Sequence, residues 1–236
     1  MIMTKNENID IKELEKFSSR SDQWWNLNGE FKTLHDINHI RLSYISKHIS
    51  LKNSKIMDIG CGGGILAEAM AKQGALVTGL DASKENVETA SQHASDEQLE
   101  ISYVVSTIEE FAENNINRFD VITCMELLEH VPDPASIIQA ASKIIKPGGH
   151  VIFSTINRSI KAYVLAILTG EYLLKILPKG THNYEKFIRP SELVAWCKEN
   201  NLEMNDLAGM KYNPLLRSCS LDTKPEINYL LDTIAK

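Results

Sequence analysis

The feature that most constrains this chain is the run Asp58-Ile59-Gly60-Cys61-Gly62-Gly63-Gly64. The short apolar stretch from Lys55 to Ile59 reads as a buried strand, and it ends in glycines. Ile65 to Gln73 behind it has helical spacing and stops at Gly74, a C-terminal cap. Glycine lets the chain turn tightly and lets a ligand approach the backbone. A strand, a glycine turn and a helix open a doubly wound α/β sheet, whose ligands bind beyond the carboxyl ends of the strands. The same rhythm continues. Ala75 to Leu80, Ile101 to Val105, Phe119 to Cys124 and His150 to Thr155 read as strands, and Ser83 to Ala94 and Pro134 to Ile145 as helices. Such alternation implies parallel pairing through right-handed crossovers. The predicted organisation is a helical extension over residues 1–50, including a helix from about Leu34 to Ile49, followed by one α/β domain over 51–236. An apolar insertion at 158–189 interrupts that domain. Residues 1–20 read as a frayed, weakly amphipathic start.

Charge and cysteine usage remove several function classes. Lys and Arg number 25 against 31 Asp and Glu, a net charge of −6, which argues against wrapping nucleic acid phosphates. Cys61, Cys124, Cys197 and Cys219 form no CxxC pair, so neither a zinc knuckle nor a thioredoxin-type site is expected. Residues 1–21 are polar and charged, without the apolar stretch of a secretory signal. A cytoplasmic chain with reduced thiols is the expectation.

Two chemistries compete for the glycine loop. Gly62-Gly63-Gly64-Ile65-Leu66-Ala67 fits the G-x-G-x-x-A dinucleotide fingerprint, which would make the chain an NAD-dependent oxidoreductase. Alternatively, Asp58 with Gly60-x-Gly62-x-Gly64 resembles motif I of the class I S-adenosylmethionine methyltransferases, where the loop passes under the amino acid end of the cofactor. Asp81 ends the second strand and can accept hydrogen bonds from ribose hydroxyls in either case. The segment Phe119 to Val131, with Met125 after the fourth strand, and Lys146-Pro147-Gly148-Gly149 before the fifth resemble the small-molecule methyltransferases. No Asn-Pro-Pro-Tyr motif follows strand four, which argues against DNA or glutamine as acceptor.

The resemblance is closer than superfamily level. Trp24-Trp25-Asn26, Gly29-Glu30-Phe31-Lys32, Arg41-Leu42, Thr123 to Pro134, Phe153 to Arg158, Pro178 to His182 and Tyr212-Asn213-Pro214 together resemble the ubiquinone-biosynthesis O-methyltransferases over residues 12–232. His39 stands where that family usually has proline. The resemblance implies a Rossmann-like, mostly parallel sheet of seven strands and methyl transfer from S-adenosylmethionine to phenolic hydroxyls of polyprenylated rings. By position it places Arg41, Asp58, Gly60, Gly62, Gly64, Asp81 and Met125 at the cofactor, with Arg41 on the methionyl carboxylate. The first alternative is a methyltransferase of the same fold with another small phenolic acceptor; a non-catalytic subunit of a biosynthetic assembly is a further one, and other ubiquinone-biosynthesis proteins are expected partners.

A phenol, with a pKa near 10, must lose its proton during or before attack. Two routes are open. Glu126, Glu129 and His130, at i, i+3 and i+4, would share one face of a helical turn and could hold Mg²⁺, as eukaryotic relatives in the family do. Alternatively Glu126, His130 or His182 serves the reaction directly, the histidines as general bases. Trp24 and Trp25 form either a substrate wall or N-terminal packing. Residues 160–178, apolar with Lys161 and Lys175, are too short and interrupted to span a bilayer, which takes about 20 apolar residues. They are expected to lie on an anionic membrane surface, making the chain peripheral on the inner membrane.

Overall fold

The computed structural model describes residues 8–162 and 184–236. Its frame is an eight-stranded sheet in the order β3-β2-β1-β4-β5-β8-β6-β7. β1 (Lys55–Ile59), β2 (Leu76–Asp81), β3 (Ser102–Val105), β4 (Phe119–Met125) and β5 (Ile145–Ile156) pair in parallel. β6 (Leu202–Asn213), β7 (Ser218–Asp222) and β8 (Asn228–Ala235) close the far edge antiparallel. The doubly wound sheet is as predicted, but it carries eight strands among the described residues rather than seven. The additional one is β7, a short edge strand folded back from β6.

Successive strand residues face opposite sides, and both sides are covered. Ile56, Val121, Ile152 and Leu230 pack with Tyr44 and Ile45 of α2 (Lys32–His48) and Met70 of α3 (Ile65–Lys72). Met57, Ile122, Val151, Phe153 and Leu231 pack with α6 (Pro134–Ile144) and α8 (Pro190–Glu199). Burial on both faces is why these strands read as unbroken apolar runs. Local chemistry sets the helix starts. Ser83 accepts from Asn86 N–H to begin α4 (Lys84–Asp96), Thr107 begins α5 (Ile108–Ala112), and Asp133 precedes Pro134 at the first position of α6. A single turn, α7 (Ile160–Ala162), follows β5. No helix among the described residues is long and apolar enough to cross a membrane.

The start of the chain is more ordered than predicted. α1 (Ile11–Ser18) is capped by the Asp10 carboxylate, which accepts from Lys12 and Glu13 N–H. It buries none of its own residues. It is held by polar contacts, Asp10 to Lys186 Nζ at 2.8 Å, Glu13 to His130 at 2.8 Å and Ser18 to Ser83 at 2.8 Å, and by the half-buried Phe17 against Phe31.

Candidate active site

The parallel strands end on one side of the sheet, and the glycine loop begins there. Gly60, Gly62 and Gly64 all have positive φ, at 69°, 52° and 87°. The N–H groups of Gly60 and Cys61 both donate to the Leu80 carbonyl, which ties the loop to the end of β2. Asp81 is held from both sides. Its Oδ2 accepts from Gly62 N–H at 2.9 Å, and its Oδ1 accepts from Ser83 N–H at 2.8 Å. Burial raises the Asp81 carboxyl above its ordinary range against these bonds. Asp58 accepts from Thr123 Oγ1 at 2.7 Å, and burial pushes it up to about 6. A side chain at Gly63 would collide with the Trp24 ring, which lies on the loop and donates from Nε1 to Asn86 Oδ1 at 2.9 Å.

A cavity of about 460 Å³ opens over this loop. It is lined by Arg41 from α2, by Gly60, Gly62, Asp58 and Asp81, by Met125 at the end of β4, and by Glu126, Glu129 and His130 beyond it. Phe17, Trp24 and Phe31 form its aromatic wall. Gly64 lies behind the loop against Tyr103. Arg41 is 5% exposed, yet its Nε and Nη2 donate no hydrogen bond. The nearest carboxylate, Glu126 Oε1, stands 3.4 Å from Nη2. A buried guanidinium with unused donors is costly unless an anion completes it.

The chain leaves β4 abruptly. Glu126 takes a left-handed φ of 52°, uncommon for a residue with a side chain and typical of functional sites. Ser154 Oγ donates to Glu126 Oε1 at 2.6 Å. Leu128–His130 then form a single 3-10 turn. Glu129 is 4% exposed, with Oε2 accepting from Thr155 Oγ1 at 2.7 Å and Oε1 without a partner. Burial first, and the nearby Glu126 charge second, push Glu129 up to about 7. His130 joins Glu13 of α1 through Nδ1.

The three candidate cation ligands are arranged differently from the expected helical face. Glu126, Glu129 and His130 do not share a helical face, because the kink at Glu126 and the tighter 3-10 turn fan them apart onto Ser154, Thr155 and Glu13. Among the described residues no three His, Cys, Asp or Glu converge as a preformed metal-ligand cluster. His182 and most of the 160–178 segment lie outside the described residues. Of the two tryptophans, Trp24 lines the cavity and Trp25 turns away from it. The other cofactor candidates, Arg41, Asp58, Gly60, Gly62, Asp81 and Met125, do meet around one space. The sequence pattern assigns no role to Glu13, Ser154 or Thr155. For the two hydroxyls a signal existed: they end the strand parallel to β4, with Met125 opposite Ser154.

The unused Arg41 donors suit an anionic group on a ligand seated at the glycine loop. S-adenosylmethionine is such a ligand, and these residues fit it. Comparison with known proteins agrees: a family model described as a methyltransferase domain matches residues 13–207. The fold is shared with magnesium protoporphyrin IX methyltransferase from Synechocystis PCC 6803, solved with bound S-adenosylhomocysteine. That likeness has a TM-score of 0.68 at 16% identity, over 96% of this chain and 98% of the other. The class is therefore the S-adenosylmethionine-dependent methyltransferases. Within it, the chain belongs to the ubiquinone biosynthesis O-methyltransferase family. It is 51% identical over 232 residues to the member from Vibrio atlanticus, covering 98% of both chains. It is 50% identical over 226 residues to the member from Azotobacter vinelandii, covering 96% of this chain and 97% of the relative.

Proposed function

We propose that this chain transfers a methyl group from S-adenosylmethionine to phenolic hydroxyls of polyprenylated rings in ubiquinone biosynthesis, and that Glu129 takes the phenol's proton. The observation that carries the assignment of the base is the Glu129 carboxyl, buried in the cavity that Arg41 and the glycine loop also line, with Oε1 unpartnered. Bound at the glycine loop, S-adenosylmethionine supplies an electrophilic methyl group on a sulfonium. The chain's own residues do the rest. Arg41 would hold the carboxylate of the cofactor's amino acid end, Asp81 would accept from its ribose hydroxyls, and Met125 would lie on its adenine side. Glu126, tied by Ser154, keeps Arg41 in place across 3.4 Å. Thr155 fixes one oxygen of Glu129 and leaves the other for the acceptor. An ordinary glutamate is too weak a base for a phenol near pKa 10. Raising it from 4.5 to about 7 narrows that mismatch by about 3 kcal/mol. Positioning the two reactants in one cavity supplies much of the remaining acceleration.

His130 has a different part on this reading. Through Glu13 it anchors α1, and Phe17 of that helix packs edge-on against the imidazole with ring centres 5.1 Å apart. The N-terminal helix thereby forms the roof of the cavity. The test is turnover. S-adenosylhomocysteine should accumulate when S-adenosylmethionine is supplied with a short-tailed polyprenyl catechol. No release should follow when every ring hydroxyl is already methylated. Release independent of a free hydroxyl would overturn the proposal.

The tail of such a substrate lies in a membrane, and residues 160–178 are the segment proposed to meet it. The support is its sequence, with Lys161 and Lys175 within an apolar stretch. This makes the chain a cytoplasmic protein peripheral to the inner membrane. Flotation with anionic liposomes should carry the protein upward, and deletion of residues 162–177 should abolish it. Equal flotation of both forms would remove the segment from this role.

A further inference from the structure

Trp25 has a partner that the cofactor site does not explain. Its indole ring lies flat on the imidazole of His93 in α4, with ring centres 3.4 Å apart and planes within 1°. Indole Nε1–H donates to the Gly63 carbonyl, in the middle of the glycine loop, at 2.9 Å. On the other side, His93 Nδ1–H donates to Glu68 Oε1 at 2.7 Å. Glu68 belongs to α3 and is 1% exposed, and Lys72 Nζ stands 3.7 Å from its second oxygen. A continuous line of contacts therefore runs from a buried carboxylate, through an imidazole and an indole, to the loop.

A loop with three glycines at positive φ has little stiffness of its own, because glycine populates many backbone conformations. Something outside the loop must select one of them. Trp24 fills the space beside Gly62 and Gly63, but its polar atom is committed to Asn86. Leu80 and Asp81 hold the N–H groups of Gly60, Cys61 and Gly62, and Trp25 adds the hydrogen bond to the Gly63 carbonyl; a flat ring stacked on another ring has few other positions available. We propose that His93 is a positioning residue for the cofactor: anchored by Glu68, it fixes the Trp25 ring, and Trp25 holds the glycine loop in the conformation that accepts S-adenosylmethionine. This rests on the loop being the cofactor site. It does not depend on the acceptor being a phenol or on Glu129 being the base.

If losing the clamp leaves the loop in its competent conformation about one-tenth of the time, cofactor affinity falls about tenfold. The probe is S-adenosylhomocysteine, titrated calorimetrically into the full-length protein without acceptor. Trp25→Phe keeps a ring on His93 and removes the N–H. His93→Gln keeps a donor for Glu68 and removes the ring. Each should raise Kd about tenfold, and the double variant should be no weaker than about tenfold, because His93 acts through Trp25. At saturating S-adenosylmethionine kcat should stay within about twofold, as expected for lost binding alone. An unchanged Kd in either folded variant, or an additive loss of about a hundredfold in the double, would overturn the proposal. A second measurement needs no variant of His93. In the wild-type protein the Trp25 indole ¹⁵N–H resonance, identified by its loss in Trp25→Phe, should shift on addition of S-adenosylhomocysteine. An unmoved resonance at saturation would equally overturn it.

Discussion

Replacing Glu129 by Gln should make the protein more stable and nearly inactive at the same pH. The native carboxyl sits at about 7 against 4.5 for an unburied glutamate. That gap of roughly 2.5 pK units corresponds to about 3 kcal/mol. Its sign follows from proton binding. Between pH 4.5 and 7 the native state holds a proton that the unfolded chain has released, so stability falls as pH rises through that window and levels off above it. Glu129→Gln stays neutral and keeps an acceptor for Thr155, but its amide N–H₂ replaces an unpartnered oxygen at a cost of about 1–2 kcal/mol. The net expectation is a gain of about 1–2 kcal/mol at pH 8, or several degrees in Tm, with little or no gain at pH 5. Over the same range kcat should fall about 10²- to 10³-fold, the usual contribution of a general base. Affinity for S-adenosylhomocysteine should remain within about twofold. Thermal melts at pH 5 and 8, with turnover on a short-tailed catechol, measure all three. In the wild type kcat should rise with pH through an apparent pKa of about 7, that of the Glu129 carboxyl. A Gln variant that keeps kcat within threefold, or a wild-type profile that is flat across pH 6 to 8, would refute the assignment.

Other outcomes follow from single contacts. Arg41→Lys keeps the charge but loses the planar fork, and Kd for S-adenosylhomocysteine should rise about 10- to 100-fold by calorimetry while kcat changes little. Gly64→Ala places a side chain at φ 87° and against the Tyr103 hydroxyl, and chemical denaturation should show a loss of at least about 1–2 kcal/mol. Glu13→Ala removes the α1 contact to His130, and limited proteolysis should then cut within residues 8–20 faster than in the wild type.

The parts of this architecture that are legible in sequence are those set locally. β1, the glycine turn and α3 were predicted almost to the residue, because a buried strand, left-handed turn positions and a helix start each demand particular residue types. Ser83 and Asp133 announce α4 and α6 through capping chemistry that needs no tertiary context. α1 carries such a mark in its Asp10 cap, but none of its residues is fully buried, and its hold on the molecule comes largely from Lys186, His130 and Ser83, all distant in the chain. The region after β4 is a subtler case. Glu126, Glu129 and His130 have helical spacing, so a shared face was the natural reading. The left-handed backbone at Glu126 comes from its N–H and side chain both bonding Ser154 across the sheet, a long-range constraint invisible in the local pattern. The burial of Glu129 is equally hidden, since an acidic residue in a polar turn reads as solvated. β7 escapes notice because an edge strand lacks the continuous apolar run of the central ones.

On this mechanism a ring oxygen receives the methyl group. The most direct measurement supplies S-adenosylmethionine bearing a deuterated methyl group, with a polyprenylated catechol in detergent, and locates the label in the product by mass spectrometry and NMR. The label on a phenolic oxygen, with one S-adenosylhomocysteine formed per methyl transferred, is the expected result. A label on ring carbon, or cofactor consumed with no labelled product, would contradict the account.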